Sequence, residues 1–129
     1  MRKSLDTLLD SLRHLADRTP QMAFDGGAED AFTEVAPYRD GAIYLGHYSG
    51  ASEWERHANG DEIVMAVDGS TTVVLWRDGA EERVPLKARE LVVVPAGVWH
   101  RFEDSRELKV FTVTPQPTDH RLERPDESA

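Results

Sequence analysis

The sequence that decides the fold is Trp54-Glu-Arg-His-Ala-Asn-Gly-Asp-Glu-Ile-Val-Met-Ala-Val-Asp-Gly69. At its centre, Asn59-Gly60 is a strong signal for a two-residue hairpin turn, because that turn needs positive φ at both positions. In such a hairpin His57 lies directly opposite Glu62, and the alternation of side chains along a strand puts Glu55 on the same face. One imidazole and two carboxylates would then converge, which is the beginning of a site for a divalent metal ion.

The composition of the chain is that of one acidic globular domain. Its 129 residues are enough for one hydrophobic core and too few for two domains. The 24 acidic residues outnumber the 15 lysines and arginines, and a net charge of -9 disfavours nucleic acid and anionic membranes as partners. The absence of cysteine excludes disulfides, thiolate nucleophiles and cysteine-ligated zinc. Since no signal peptide or transmembrane run is found in the sequence either, we expect a soluble, cytoplasmic protein.

Leucines at helical spacing predict an amphipathic helix near the N-terminus, over residues 4–17. Residues 1–40 are therefore expected to form this one helix and an irregular arm that pack on the rest of the domain. Short β-type runs follow from residue 41, with Asp68-Gly69 and Asp78-Gly79 as further hairpin signals. The expected strands cover 42–48, the two arms around Asn59-Gly60, 71–77, 82–86, 91–94, 99–103 and 108–114.

Many short strands without helices between them indicate an all-β sandwich or barrel in residues 41–115. The remaining segment, 116–129, is polar and contains Pro117 and Pro125, so we expect a C-terminal tail that is a loose cover or disordered. His120 lies in this tail and is expected to be solvated.

A further polar side chain follows the strand predicted at 91–94. The sequence there is Val94-Pro-Ala-Gly-Val-Trp-His100, in which Gly97 allows a tight reversal and His100 opens the next strand. Taken together with the first stretch, this pattern resembles the cupin superfamily, whose fold is a double-stranded β-helix or jelly roll. The second cupin motif, Pro-x-Gly-x-x-His, is matched by Pro95, Gly97 and His100.

The first cupin motif contains a metal-binding Glu that is followed by six residues and a Gly. Glu62 and Gly69 match this spacing, and His57 stands at the position of the motif's second His. Where the family usually has its first His, this chain has Glu55. Other departures affect turns: Ser49 precedes Gly50 ahead of the first motif, Arg89 replaces the Gly that opens the second motif, and Asp104 replaces its final Asn.

The resemblance implies one divalent transition metal inside the barrel, held by His57, Glu62 and His100 with Glu55 as the expected fourth ligand. Nitrogen and oxygen donors suit Fe, Mn, Ni or Zn. Glu55 has an alternative role as a base or as a hydrogen-bond acceptor beside a His-Glu-His triad. The non-metal interpretation is an ordinary cross-strand ion pair between His57 and Glu62, with His100 satisfied by hydrogen bonds.

We expect a small-molecule pocket in the cup. Phe102 alternates to the same face as His100 and should line it, and pocket access is also assigned to His47, for which a buried, hydrogen-bonded ring is the alternative. The favoured function is a metal-dependent enzyme, a dioxygenase or an isomerase by resemblance, with Glu55 or Glu62 moving a proton.

Two other classes of function remain open in the sequence. One is a non-catalytic binding or sensor cupin whose cup holds a metal or is empty, and the other is a structural or storage role. We also predict a homodimer, because a small barrel has strand edges to protect and the family commonly pairs there.

Overall fold

Nine β-strands account for most of residues 1–126, the part of the chain that this computed structural model describes. Two short helices, α1 (Leu5–Asp10) and α2 (Met22–Asp25), and one 3₁₀ turn (Glu29–Ala31) lie near the N-terminus. The strands are β1 (Leu15–Arg18), β2 (Phe32–Tyr38), β3 (Gly41–Gly50), β4 (Trp54–His57), β5 (Glu62–Arg77), β6 (Ala80–Lys87), β7 (Leu91–Val94), β8 (His100–Pro115) and β9 (Thr118–Arg121).

The two 16-residue strands, β5 and β8, organise the fold. They are antiparallel to each other, and β8 also pairs with β3 and, at His100, with β4. In addition, β5 pairs with β6 through one half of its length and with β7 through the other. Because each long strand bends and changes neighbours, the strands close into a jelly-roll β-barrel, which confirms the predicted all-β fold class.

Two of the predicted turns have different outcomes. Asp78-Gly79 joins β5 to β6 with φ of 53° and 76°, which is the positive φ that a tight hairpin turn requires. Asp68-Gly69 forms no hairpin, because β5 continues through it and only its register with β8 shifts. Gly69 has φ of 71°, and a Cβ at this position would collide with the backbone carbonyl of Glu107. The motif glycine therefore serves a close approach of β5 and β8 rather than a chain reversal.

The predicted helix over residues 4–17 is too long. Ser4 caps α1 by accepting from the Thr7 amide, but the helix ends at Asp10. Leu15, predicted to be helical, belongs to β1 and pairs in parallel with Tyr48 of β3. The leucine spacing is real, since Leu9 and Leu15 are both buried, but strand pairing at the barrel edge prevails over local helix preference.

Two strands occupy segments that were expected to be irregular. β2 lies within the arm of residues 1–40 and pairs antiparallel with β3. β9 lies within the segment 116–129 and pairs with all four residues of β4, so its backbone is not loose. The end of the predicted tail, residues 127–129, lies outside the described residues. The core inside the barrel is built mainly from inward side chains of β3, β5 and β8, among them Val64, Val73, Leu108 and Val110. No helix within residues 1–126 is long and apolar enough to cross a membrane.

Candidate metal centre

His57 and Glu62 stand at the two ends of a short connection, but not across a hairpin. β4 pairs with β8 and β9, whereas β5 pairs with β6, β7 and β8, so the predicted β4–β5 hairpin is wrong. Neither Asn59 nor Gly60 has the positive φ of a tight hairpin turn. Instead the Asn59 side chain donates to the Gln116 carbonyl oxygen at 2.8 Å, which ties the reversal to the chain that leads into β9.

The second motif meets this reversal from the other side. The Gly97 amide donates to the His57 carbonyl oxygen at 2.9 Å, and the Ala96 amide donates to Asp61 Oδ1 at 2.8 Å. Gly97 has φ of 77°, which a glycine adopts without strain. These bonds fix the start of β8 against the end of β4, and His100 is thereby brought beside His57.

Three predicted ligands converge in the buried interior. The Oε1 atom of Glu62 lies 3.0 Å from Nε2 of His100 and 3.3 Å from Nε2 of His57. The exposed fractions of the three residues are 3% for His57, 5% for Glu62 and 0% for His100. One donor atom from each residue can be chosen so that all three lie within 4.8 Å of one another.

A chain of hydrogen bonds orients the ring of His57. Gln116 Nε2 donates to the Tyr44 hydroxyl at 3.1 Å, so Gln116 Oε1 is free to accept from the Thr118 hydroxyl at 3.0 Å. The single proton of Thr118 is used in that bond, and Thr118 Oγ1 therefore accepts from His57 Nδ1 at 2.9 Å. In the neutral ring this leaves the lone pair on Nε2, a buried atom with no hydrogen bond among the described residues.

The other two donors are held in the same way. His100 Nδ1 donates to the Val98 carbonyl oxygen at 3.0 Å, which directs Nε2 to Glu62. The Thr114 hydroxyl donates to Glu62 Oε2 at 2.6 Å and accepts from Thr112 at 2.8 Å. Oε1 is thus the carboxylate atom directed at both imidazoles.

Charge coupling within this group shifts two pKa values. Burial alone would raise the pKa of Glu62, but the hydrogen bond from His100 and the contact with His57 outweigh it and lower the pKa to about 2. Burial would likewise lower the pKa of His100, and the facing Glu62 carboxylate raises it instead. Without a metal, Glu62 is therefore an anion, and its charge favours the protonated form of His100.

The three residues fit a divalent transition metal. Two imidazole Nε2 atoms and one carboxylate oxygen are directed at one another, both Nδ1 atoms are used in orienting hydrogen bonds, and His57 Nε2 has no hydrogen-bond partner. An outer hydrogen bond on each ligating ring is the usual arrangement at metal-binding histidines. Mixed nitrogen and oxygen donors without sulfur favour Fe, Mn, Ni or Zn over a soft ion.

Glu55, the expected fourth ligand, does not join this group. It belongs to a second cluster with Glu53 and His120, and its Oε2 lies 3.9 Å from His120 Nδ1. Burial, followed by the charges of Glu53 and Glu62, raises the pKa of Glu55. Its ligation of a metal stays a prediction, and its position also fits the alternative role of a base.

One cavity of about 560 Å³ is lined by Glu62 of the first cluster and by all three members of the second, whereas His57 and His100 are not among its lining residues. Phe102 lines it, as the strand alternation predicts, and so do Glu55 and Glu62. His47 does not, because on β3 the inward positions are those of Tyr44, Gly46 and Tyr48, and the His47 ring instead stacks 4.6 Å from that of His14. The cavity is lined by Arg18, Met22, Ala23, Ala28, Phe32, Tyr44, Leu45, Gly46, Tyr48, Glu53, Glu55, Glu62, Phe102, Val110, Thr112, Thr114, Gln116, Pro117, Thr118 and His120.

Several residues of this cavity were not identified from the sequence. His120, expected to be solvated, bonds Glu53 Oε2 through Nδ1 at 2.6 Å, and Thr118 orients His57. Both lie on β9, whose pairing with β4 joins positions more than 60 residues apart. The only local indication of a strand here was the alternation of Thr118 and His120 between two prolines.

Comparison with known proteins assigns the barrel to a family. The sequence profile described as "Cupin domain" matches residues 47–114, which is more than half of the 129-residue chain. Among curated proteins no sequence matches the chain.

Several solved structures share the fold. A cupin-2 domain containing protein from Shewanella frigidimarina is 26% identical, with 70% of this chain and 79% of that chain covered at a TM-score of 0.54. Protein NMB1881 from Neisseria meningitidis is 19% identical, with coverage of 90% and 100% and a TM-score of 0.62. Hydroquinone 1,2-dioxygenase PnpCD, solved with Cd²⁺ and 4-hydroxybenzonitrile, is 23% identical, with coverage of 65% and 63% and a TM-score of 0.55.

Proposed function

The chain belongs to the cupin superfamily, and on this premise we propose that it is a metal-dependent enzyme acting on a small oxygenated molecule. The observation that carries the proposal is the buried Nε2 of His57, which has no hydrogen bond and faces Glu62 and His100. An unmade hydrogen bond at a buried polar atom costs about 1–3 kcal/mol, and coordination of a metal ion would remove that cost.

His57, Glu62 and His100 would hold the ion. When bound, it would supply Lewis acidity that polarises an oxygen atom of the substrate. Thr114 keeps Glu62 Oε2 occupied, so that Oε1 remains the donor atom. Glu55 lines the same cavity, and its raised pKa, caused first by burial and then by Glu53 and Glu62, suits a group that takes a proton from a bound hydroxyl and returns it.

The choice between a dioxygenase and an isomerase rests on family resemblance. The dioxygenase PnpCD has a barrel of this fold and was solved with a metal ion and a small hydroxylated ring compound, which agrees with the proposal. At 23% identity that likeness covers the fold alone. The same barrel supports many reactions, so the reaction must be assigned by experiment.

One observation favours a second candidate, a non-catalytic cupin that binds a small molecule in a metal-free cup. Glu62 accepts hydrogen bonds from both His100 and Thr114, so the carboxylate is satisfied without a metal. The buried pair of Glu62 and His100 would then be structural, and the cavity would hold its ligand without chemistry.

Metal analysis tests the proposal. Protein purified without added metal, or soaked with Fe²⁺, Mn²⁺, Ni²⁺ or Zn²⁺ and desalted, should contain about one equivalent of metal by mass spectrometry. His100→Ala should lose most of it, whereas the control His47→Ala, whose ring lies outside the cavity, should keep it. Less than about a tenth of an equivalent before and after soaking would overturn the metal-enzyme proposal in favour of the metal-free cup.

Reaction assays follow if metal is bound. Oxygen consumption with diketones, catechols and sugar acids separates dioxygenase chemistry from isomerisation. Glu55→Gln should lower turnover by about 10²–10⁴-fold while it leaves the metal content unchanged, because a proton-moving residue is lost and the three ligands remain. If Glu55→Gln instead loses as much metal as His100→Ala does, Glu55 is assigned as the fourth ligand.

A further inference from the structure

The hydroxyl group of Tyr48 is buried in the cavity wall without an acceptor for its proton. Tyr48 is 1% exposed and lies on β3 among the inward positions that line the cavity. Its proton has no acceptor among the described residues, because the neighbouring Arg18 guanidinium can only donate. Burial is the main reason that the pKa of Tyr48 rises to about 12, so the hydroxyl keeps its proton and is available as a donor.

The charged side chains beside Tyr48 are already paired with one another. The Arg18 guanidinium lies over the Tyr48 ring at 4.5 Å and forms an ion pair with Glu53 Oε1 at 3.6 Å. The other carboxylate oxygen, Oε2, is bound by His120 Nδ1 at 2.6 Å. Glu53, 3% exposed, is therefore satisfied by two partners, and Glu55 Oε2 lies 3.9 Å from His120 Nδ1. Two carboxyl groups thus face the two basic side chains, which leaves no basic side chain over for an anionic ligand.

Glu55 supplies the unused acceptor. It faces the same cavity, and within residues 1–126 no donor is hydrogen-bonded to its carboxyl group. The nearest is His120 Nδ1 at 3.9 Å from Oε2, beyond hydrogen-bond distance, because that nitrogen already binds Glu53. A carboxyl group offers an acceptor oxygen in either protonation state.

We propose that Tyr48 and Glu55 form a subsite for a neutral hydroxyl group of the ligand. A hydroxyl accepts from Tyr48 and donates to Glu55 at the same time, so one group satisfies both. A carboxylate would satisfy Tyr48 but would face Glu55 with no free cation. An ammonium group would satisfy Glu55, but it would leave the Tyr48 hydroxyl without an acceptor and would lie near Arg18.

The rest of the cavity wall indicates what carries this hydroxyl. Phe32, Phe102 and Val110 supply an apolar part of the lining that suits a ring or a short hydrocarbon. Glu62 lines the same cavity, so the ligand meets the candidate metal centre as well. The inference deepens the proposed function, on which it rests for the identity of the ligand site, and its substrate class is a neutral hydroxylated ring compound.

Three probes of one shape test the subsite in full-length protein freed of metal with a chelator. At pH 7, p-cresol is neutral, 4-methylbenzoate is an anion and 4-methylbenzylamine is a cation. Titrations followed by protein-observed nuclear magnetic resonance should give saturable shifts with p-cresol. The two charged probes should bind at least about tenfold more weakly, as expected when a buried polar group is left unpaired.

Variants identify the side chains responsible. Tyr48→Phe and Glu55→Leu should each weaken the binding of p-cresol by about fivefold, which corresponds to one hydrogen bond, because neither new side chain can donate or accept. The matched control is Tyr38→Phe, at an exposed tyrosine of β2 that does not line the cavity; the affinity of this variant for p-cresol should stay within about twofold. If Tyr48→Phe does not fold, the affinity of Glu55→Leu for p-cresol decides.

Three results would overturn the inference: a charged probe that binds as well as p-cresol, wild-type affinity in the folded Tyr48 and Glu55 variants, or no saturable shift with any probe. Because these titrations use metal-free protein, their failure is distinct from a failure to bind metal. A protein that never takes up metal and still prefers p-cresol would lose the proposed enzyme activity and keep the hydroxyl subsite.

Discussion

Arg89 holds a backbone conformation that an arginine adopts only with strain. Its φ is 72°, its side chain is exposed, and its amide donates to the Ala66 carbonyl oxygen in the connection between β6 and β7. The cupin motif usually has Gly at this position, and glycine adopts positive φ freely. We expect Arg89→Gly to raise the free energy of unfolding by about 0.5–1 kcal/mol and the melting temperature by about 2–4 °C.

Ala88, the preceding exposed residue, is the matched control for Arg89→Gly because its φ is not positive. Ala88→Gly should lower the free energy of unfolding by about 0.5–1 kcal/mol, since glycine gains more freedom in the unfolded chain. Denaturant unfolding of both variants measures the difference. Changes of the same sign in the two variants would contradict the explanation from backbone strain.

Glu62 links the stability of the metal-free protein to pH. Its pKa falls from 4.5 to about 2 because His100 and His57 outweigh the effect of burial, so its contribution is present above pH 4.5 and is lost as pH falls toward 2. The contribution of Glu62 to the free energy of unfolding is on the order of 3 kcal/mol. The contribution of His100 has the opposite sign: its pKa is raised above 6.5 by Glu62 against the effect of burial, and its stabilisation is lost as pH rises through that pKa.

Acid unfolding of chelated protein measures the Glu62 contribution. The denaturant midpoint should fall steeply between pH 5 and pH 3, and Glu62→Gln should be less stable at pH 5 and respond weakly to pH in this range. Asp10→Asn, on the exposed face of α1, is a control that should follow the wild type. An unchanged pH profile in Glu62→Gln would show that the buried group does not couple as described.

At the residue scale, the spacing of the two motifs predicted three side chains of the candidate centre. It did not predict the residues that surround them. His57, Glu62 and His100 lie in two motifs whose own backbone bonds bring them together. The positions of Glu53 and Tyr48 beside the centre result from contacts with β1 and β9. These contacts join distant parts of the chain, so no local sequence pattern predicts them.

At the scale of elements, β9 supports the centre although it carries none of the three candidate ligands. It pairs with all of β4, Thr118 orients His57, and His120 holds Glu53. A chain that ends after Gln116 should bind Zn²⁺ about 10–100-fold more weakly in a competition titration, because the outer hydrogen bond on His57 is lost.

Thr118→Val separates this role of β9 from its effect on stability. The variant keeps the size of the side chain and removes the hydroxyl that accepts from His57 Nδ1, so it should reproduce most of the loss of Zn²⁺ affinity. A chain that ends after Asp126 retains β9 and should bind as the whole chain does. Wild-type affinity in Thr118→Val would mean that His57 needs no orientation by β9.

The turn signals show how far local sequence predicts an element. Asp78-Gly79 and Asn59-Gly60 are equally good hairpin sequences, yet only the first joins two paired strands. At the second, pairing of β4 with β9 and of β5 with β7 outweighs the turn preference. The N-terminal helix is shortened for the same reason, since the pairing of Leu15 with Tyr48 in the sheet outweighs the local preference for helix.

At the scale of the whole molecule, one outer surface of the barrel is apolar. The surface consists of Ile63 on β5 and Leu91 and Val93 on β7, with exposed fractions of 38%, 55% and 48%. Ile63 and Val93 are directly paired, and β7 hydrogen-bonds to β5 alone among the strands of residues 1–126, so it also presents a free edge. Edges and apolar patches of this kind are where β-proteins associate.

The predicted homodimer should therefore form through the Ile63–Leu91–Val93 surface. The protein should elute as a dimer in size-exclusion chromatography with light scattering, and Leu91→Glu combined with Val93→Glu should give a monomer, because four buried carboxylates would face one another across a two-fold interface. Phe24→Glu, at an exposed apolar residue of α2 outside this surface, is the control and should remain dimeric. A monomeric wild type at tens of micromolar would contradict the dimer, and a dimeric double variant would move its interface to another edge of the barrel.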